Sequence, residues 1–135
     1  MAPHRRIVLD SWAVVHWLQE EPGAIRIREY FELASRRRIL IFMSYINAGE
    51  VYYAVAKNRG LEVAEQFLRR LPELPIELVA PDADDILEAA RIKARYAVAY
   101  GDAFAICLGR DKDAAVATGD REIRESELVR VEWLG

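Results

Sequence analysis

Five short β-type runs, separated by stretches of helical periodicity, restrict this chain to very few folds. They are Ile7 to Leu9, Ile39 to Met43, Ile76 to Val79, Ala114 to Thr118 and Val129 to Trp133. Strands that alternate with helices form a parallel sheet covered by helices on both faces. The first, second and fourth runs are apolar almost without interruption, whereas Ile76-Glu-Leu and Val129-Arg-Val-Glu-Trp alternate with charge. Continuous apolar strands are buried on both faces and alternating ones lie at edges, so the third and fifth strands are the expected edges. With right-handed crossovers the simplest arrangement is strand order 3-2-1-4-5. The winding direction then reverses between the first and fourth strands, and a crevice opens at their carboxyl ends.

Apolar positions at 3.6-residue spacing supply the helices. Ser11 to about Glu20 and Ala24 to about Arg37 read as two helices broken by Pro22-Gly23. Ala48, Val51, Tyr52 and Val55 form one stripe, Ala64, Phe67, Leu68 and Leu71 a second, and Ala83, Ile86, Leu87 and Ala90 a third. Ala103 to Leu108 is apolar all round, the mark of a buried helix. The 135 residues, 53% hydrophobic and 30% charged, suit a single domain over 1–135 with one core. No apolar run approaches the roughly 20 residues of a membrane span. Too few apolar residues precede Asp10 for a signal peptide, and the lone Cys107 points to a reducing compartment. The expected location is the cytoplasm.

That topology gathers acids from distant parts of the chain. Asp10 ends the first strand, and Asp120 follows the fourth strand through Thr118-Gly119. Ser44 is a candidate N-cap for the helix carrying Asn47 and Glu50, which lie three apart on one face. Asp102 precedes the buried helix that leads back to the fourth strand. A helix of six to eight residues spans roughly 9 to 12 Å and a five-residue strand about 16 Å, so Asp102 and Asp120 can share an edge. Each acid has an ordinary role open to it: Asp10 and Asp102 as helix caps, Glu50 as a solvated charge, Asp120 as a turn residue. Those roles do not explain why all four reach one crevice. For Asp102, capping and facing the crevice are compatible. Like charges a few ångströms apart raise one another's pKa, a conflict that a divalent cation resolves. All-oxygen ligation favours Mg²⁺ or Mn²⁺ over zinc, and His4 and His16 lack zinc-site spacing and read as structural. Cys107, inside an apolar run, reads as core.

The segments Val8-Leu-Asp10-Ser, Ser44-Tyr-Ile-Asn-Ala-Gly-Glu50-Val, Tyr100-Gly-Asp102-Ala-Phe-Ala and Ala117-Thr-Gly-Asp120 together resemble the PIN-domain nucleases, and among them the VapC-like toxins of toxin–antitoxin pairs. The resemblance covers essentially the whole chain, in family order, and the family's sheet has the order 3-2-1-4-5. It implies an acidic triad of Asp10, Glu50 and Asp102 with Asp120 completing a Mg²⁺ or Mn²⁺ site, supported by Ser11, Ser44, Asn47 and Thr118. Many relatives carry aspartate then phenylalanine after the last motif, where this chain reads Asp120-Arg-Glu122-Ile123; Glu122 is then a candidate outer acid.

The implied activity is hydrolysis of RNA phosphodiesters by water that metal ions activate. RNA approaching an acidic centre needs cations around it; the candidates are Arg36, Arg37, Arg38, Lys57, Arg59, Arg69, Arg70, Arg110 and Lys112, each of which has ordinary surface as its alternative. Tyr45, Tyr52, Tyr53 and Tyr100 are candidates for base stacking or an interface, with core packing as the simpler role. By resemblance the partners are a homodimeric copy and a small antitoxin, for which the stripe of Tyr52 and Val55 or the surroundings of Trp12 and Trp17 are contact candidates. The alternatives are a PIN nuclease of RNA processing, a non-catalytic RNA- or partner-binding domain, and a Mg²⁺-binding receiver module. The last lacks support: Asp10 stands alone after the first strand, the third leads to Ala80-Pro81, and no lysine follows Arg124.

Overall fold

The computed structural model describes residues 5–135, so His4 lies outside the described residues. The chain runs β1 (Arg5–Leu9), α1 (Ser11–Leu18), α2 (Ala24–Ser35), β2 (Ile39–Ser44), α3 (Tyr45–Arg59), α4 (Leu61–Arg70), a 3-10 turn (Leu71–Glu73), β3 (Glu77–Val79), α5 (Ala83–Arg95), α6 (Tyr100–Asp111), β4 (Ala115–Thr118), α7 (Arg121–Ser126) and β5 (Val131–Trp133). The five strands form one sheet of order β3-β2-β1-β4-β5 with every pairing parallel. Both the order and the edge positions of β3 and β5 agree with the expectation from charge alternation.

Period-two alternation sorts the core into layers. Ile7 and Leu9 of β1, Ile39, Ile41 and Met43 of β2 and Ala117 of β4 face the layer built by α1 to α4. Val8, Phe42 and Val116 face the opposite side, against Ala105 and Leu108 of α6. Ile7, Val8 and Leu9 are all fully buried, which is why β1 reads as an unbroken apolar run. Gly109 lets α6 come this close: a Cβ there would lie 2.8 Å from Val129 and 3.1 Å from Val116. Gly23, at φ 102°, makes the expected break before α2 in a conformation that side chains rarely adopt.

Two expectations from periodicity need correction. Leu68, assigned to the α4 stripe, is exposed, although Ala64, Phe67 and Leu71 are buried as expected. In α5 the expected stripe points the wrong way: Ile86 is 40% and Leu87 53% exposed, while Ala89 and Ile92 are buried against Phe104 and Ile106 of α6. Two apolar stripes coexist on this helix, and spacing alone does not say which one meets the core. The short α7, with Ile123 as its one buried residue, offered no stripe to find.

The orientation of α5 is testable by urea denaturation. Ile92→Ala should cost about 2–5 kcal/mol, the range for truncating a buried isoleucine, and Leu87→Ala at most about 0.5 kcal/mol. Equal losses would mean that α5 is rotated about its axis.

Candidate active site at the carboxyl edge of the sheet

Two adjacent central strands deliver the first acids. Asp10 directly follows β1 and is the N-cap of α1, its Oδ1 accepting the Ala13 N–H at 2.9 Å. Its Oδ2 accepts the hydroxyl of Thr118, the fully buried last residue of β4. The same hydroxyl oxygen accepts the Asp120 N–H at 2.9 Å, so Thr118 fixes the Asp10 carboxylate and the backbone of Asp120 together. Asp120 in turn caps α7, accepting the Glu122 N–H at 2.8 Å. The capping role open to Asp10 is thus real, Asp120 is a helix cap where a turn residue was the alternative, and both side chains still reach the crevice.

Asp102 behaves differently from expectation. It lies inside the first turn of α6, whose N-cap is Ala99 with no side-chain bond. Asp102 is therefore not a cap, and its carboxylate is left to the crevice, only 7% exposed. Carboxylate oxygens of Asp102, Asp120 and the exposed Glu122 all lie within 4.8 Å of one another. Glu50, in the second turn of α3, is half-buried and accepts the Asn47 side-chain amide at 2.7 Å; the same amide nitrogen donates to the Gly101 carbonyl at 3.0 Å.

The four acids feel one another. Burial pushes the Asp10 carboxyl up to about 7, against the opposing pull of the Thr118 and Ala13 hydrogen bonds, and the charges of Asp120 and Glu50 add to the rise. Asp102 rises to about 8, first through burial and then through Asp120, with Asp10 and Glu50 contributing. A carboxyl that titrates near neutrality is far from its ordinary state. The donor set is carboxylate oxygen throughout, and it fits a hard divalent cation. His16 takes no part: its Nδ1 donates to the Trp12 carbonyl at 2.8 Å and its ring stacks on Trp12.

The remaining residues sort by edge. Ser44 caps α3 through the Ile46 N–H at 3.2 Å, and so acts on the site by placing that helix. Ser11 sits half-buried at the start of α1. Arg36, Arg37 and Arg38 precede Ile39, which pairs with Arg5 at the amino end of the sheet. Arg110 and Lys112 are there too, with the Lys112 carbonyl accepting from Arg6 at 3.1 Å. The fold therefore does not bring these five cations to the acids. Lys57 and Arg59 close the last turn of α3 beyond Glu50, and Arg59 lines a hollow with Leu18, Gln19 and Glu20 instead. Arg70 lies over the Trp17 ring at 4.9 Å.

Arg121 and the contact of Gly119 with Trp12 were missed from the sequence, whereas Tyr45, Tyr100 and Cys107 were named there. Arg121, exposed at the start of α7, adjoins Asp120; its adjacency to the last motif was the available signal. Tyr45 and Tyr100 open α3 and α6 on this edge and are 52% and 44% exposed, so core packing is not their role. Gly119 presses on Trp12, since a Cβ would stand 2.2 Å from the indole. No spacing argument finds such a contact. Burial lifts the half-buried Cys107 thiol to about 11, and it is no nucleophile.

Comparisons with known proteins agree with this architecture. No curated protein sequence matches the chain, but solved structures do. VapBC2 from Rickettsia felis, bound to a DNA fragment from its promoter, superposes with TM-score 0.72 at 15% identity over 96% of this chain and 99% of that one. Mycobacterium tuberculosis VapC20, described as a sarcin–ricin loop cleaving toxin, gives 0.72 at 14% identity, covering 93% and 98%. DNA-bound VapBC from Salmonella typhimurium gives 0.73 at 20% identity, covering 97% and 99%. The PIN domain family profile matches residues 7–127, and with that span the chain belongs to the PIN-domain family.

Proposed function

We propose that this chain is a metal-dependent endoribonuclease, the toxin of a toxin–antitoxin pair, acting in the cytoplasm. The observation that carries the reading is the convergence of Asp10, Glu50, Asp102 and Asp120, two of them pushed to about 7 and 8. Mg²⁺ or Mn²⁺ would be held by these four together with Glu122, whose carboxylate lies within 4.8 Å of those of Asp102 and Asp120. When bound, such a cation neutralises charge on a phosphodiester and lowers the pKa of a water. The protein's own part is to hold the acids: Thr118 orients Asp10, Asn47 orients Glu50, and α7 carries Asp120. Tyr45 and Tyr100 offer rings on which unpaired bases can stack, and Arg121 offers a phosphate contact.

The toxin reading draws on the VapC and VapBC neighbours, one of them described as a cleaving toxin. From these and the family resemblance come the expected partners: a cognate antitoxin and a second copy of this chain. No helix among the described residues is long and apolar enough to cross a membrane.

Incubated with a mixed RNA pool, the protein should cleave only with Mg²⁺ or Mn²⁺ present. Asp10→Asn and Asp102→Asn should each lose about a hundredfold or more, since the charge stabilisation at stake is worth several kcal/mol. Equal cleavage by all three proteins would trace the activity to a contaminant.

The raised carboxyls make a second prediction. The folded state holds the protons of Asp10 and Asp102 more tightly than the unfolded chain does. The stability they contribute is therefore complete below the ordinary carboxylate range and lost as pH rises through about 7 and 8. The melting temperature of the metal-free protein should fall between pH 5 and 8.5, and saturating Mn²⁺ should cancel the fall while releasing protons into the buffer. A flat metal-free profile, or Mn²⁺ uptake without proton release in buffers of different ionisation enthalpy, would contradict it.

A further inference from the structure

Glu50 is the acid with the longest and most flexible side chain of the four, and it occupies an unusual seat. A Cβ built on Gly101 would lie 2.1 Å from Glu50 Oε2, 2.4 Å from its Cδ and 2.6 Å from its Oε1. The carboxylate thus rests in the space that any other residue at 101 would fill. Gly101 is in the first turn of α6 with no left-handed conformation recorded for it, so backbone freedom does not explain the glycine. An alanine there would be the better helix former.

Asn47 closes the seat from the other side. Its side chain is fully buried, and its amide nitrogen donates both to Glu50 Oε1 and to the Gly101 carbonyl. Both partners are acceptors, so the nitrogen must face them and the amide cannot be turned round. The oxygen is left buried without a hydrogen-bond partner among the described residues, an arrangement that native proteins tolerate at few places. The donor end is what the site needs.

We infer that Gly101 and Asn47 are positioning residues that clamp the Glu50 carboxylate of α3 against the first turn of α6, one residue from Asp102. The inference rests on the metal-site reading of the acids. It assigns Gly101 a role by what it lacks: a side chain there would drive Glu50 out of the cluster.

A double-mutant cycle tests it, with Gly101→Ala made in the parent and in Glu50→Ala, and two readouts taken. In metal-free protein, Gly101→Ala should raise the melting temperature of Glu50→Ala by about 2–5 °C and that of the parent by less, because only in the parent must the Glu50 carboxylate shift aside for the new methyl group. An equal rise in both backgrounds overturns the seat. By calorimetry with Mn²⁺ alone, Gly101→Ala should weaken affinity about tenfold in the parent and leave any residual affinity of Glu50→Ala unchanged. Unaltered affinity in the parent variant, beside the unequal melting shifts, would make the seat a packing feature and overturn the positioning role. A parent that takes up no Mn²⁺ defeats the metal reading instead, and the melting shifts alone then decide the seat. If Gly101→Ala does not fold, Asn47→Ser, too short to span both acceptors, should weaken Mn²⁺ affinity by a similar factor; full affinity would overturn the proposal.

Discussion

Negative charge gathered at the carboxyl edge of the sheet is the constraint to which the rest of the structure answers. Asp10 is fully enclosed and Asp102 nearly so, and each is raised further by Asp120 and by Glu50. Such a cluster pushes itself apart unless its members are held from outside. The holding comes from a sheet whose central strand is buried on both faces, packed on one side by α1 to α4 and on the other by α6. Rigidity in β1 and β4 is what lets two carboxylate-bearing segments end side by side against their mutual repulsion.

Each acid is fixed by a separate local device. Asp10 spends one oxygen on capping α1 and the other on Thr118. Asp120 holds its own position by capping α7, and its backbone is tied to the same Thr118 hydroxyl. Asp102 has neither of those bonds; it is placed by the burial of α6, and burial first and the neighbouring Asp120 next raise its carboxyl. Helix N-termini carry partial positive charge, so α1, α6 and α7 all direct their favourable ends at the anionic crevice. Capping and site-building are one arrangement here.

What could be read from the sequence follows from which physical signals are local. Sheet order was legible because β1, β2 and β4 are apolar throughout and β3 and β5 alternate with charge, a difference written into each run separately. The positions of the four acids were legible because Asp10 and Asp120 follow strand ends, Asp102 lies in the first turn of a helix and Glu50 in the second turn of one, and topology then decides their edge. The same topology carries Arg36 to Arg38, Arg110 and Lys112 to the opposite edge, yet as basic residues near helix ends they looked equivalent to any rim cation. The outward face of α5 was misread because an apolar stripe does not state what it packs against. The contacts of Gly101 with Glu50 and of Gly119 with Trp12 were beyond reach, since a glycine's use as empty space shows only when its neighbour is in place.

That use of empty space bears on how a small domain tolerates a repulsive centre. Filling Gly101 would strengthen α6 by propensity, and the Asn47 oxygen has no hydrogen-bond partner among the described residues, where a buried polar group ordinarily has one. Both features occur where α3 meets α6 beside Glu50. Meanwhile Ile7, Leu9, Met43 and Val51 are buried in the core on the α1 to α4 side of the sheet. Phe104, Ile106 and Leu108 of α6 are buried in cores of their own, so packing is supplied away from the crevice and the acids are arranged for charge. Local rules broken at an acidic crevice, with the surrounding core intact, are what a functional centre predicts and a purely structural edge does not.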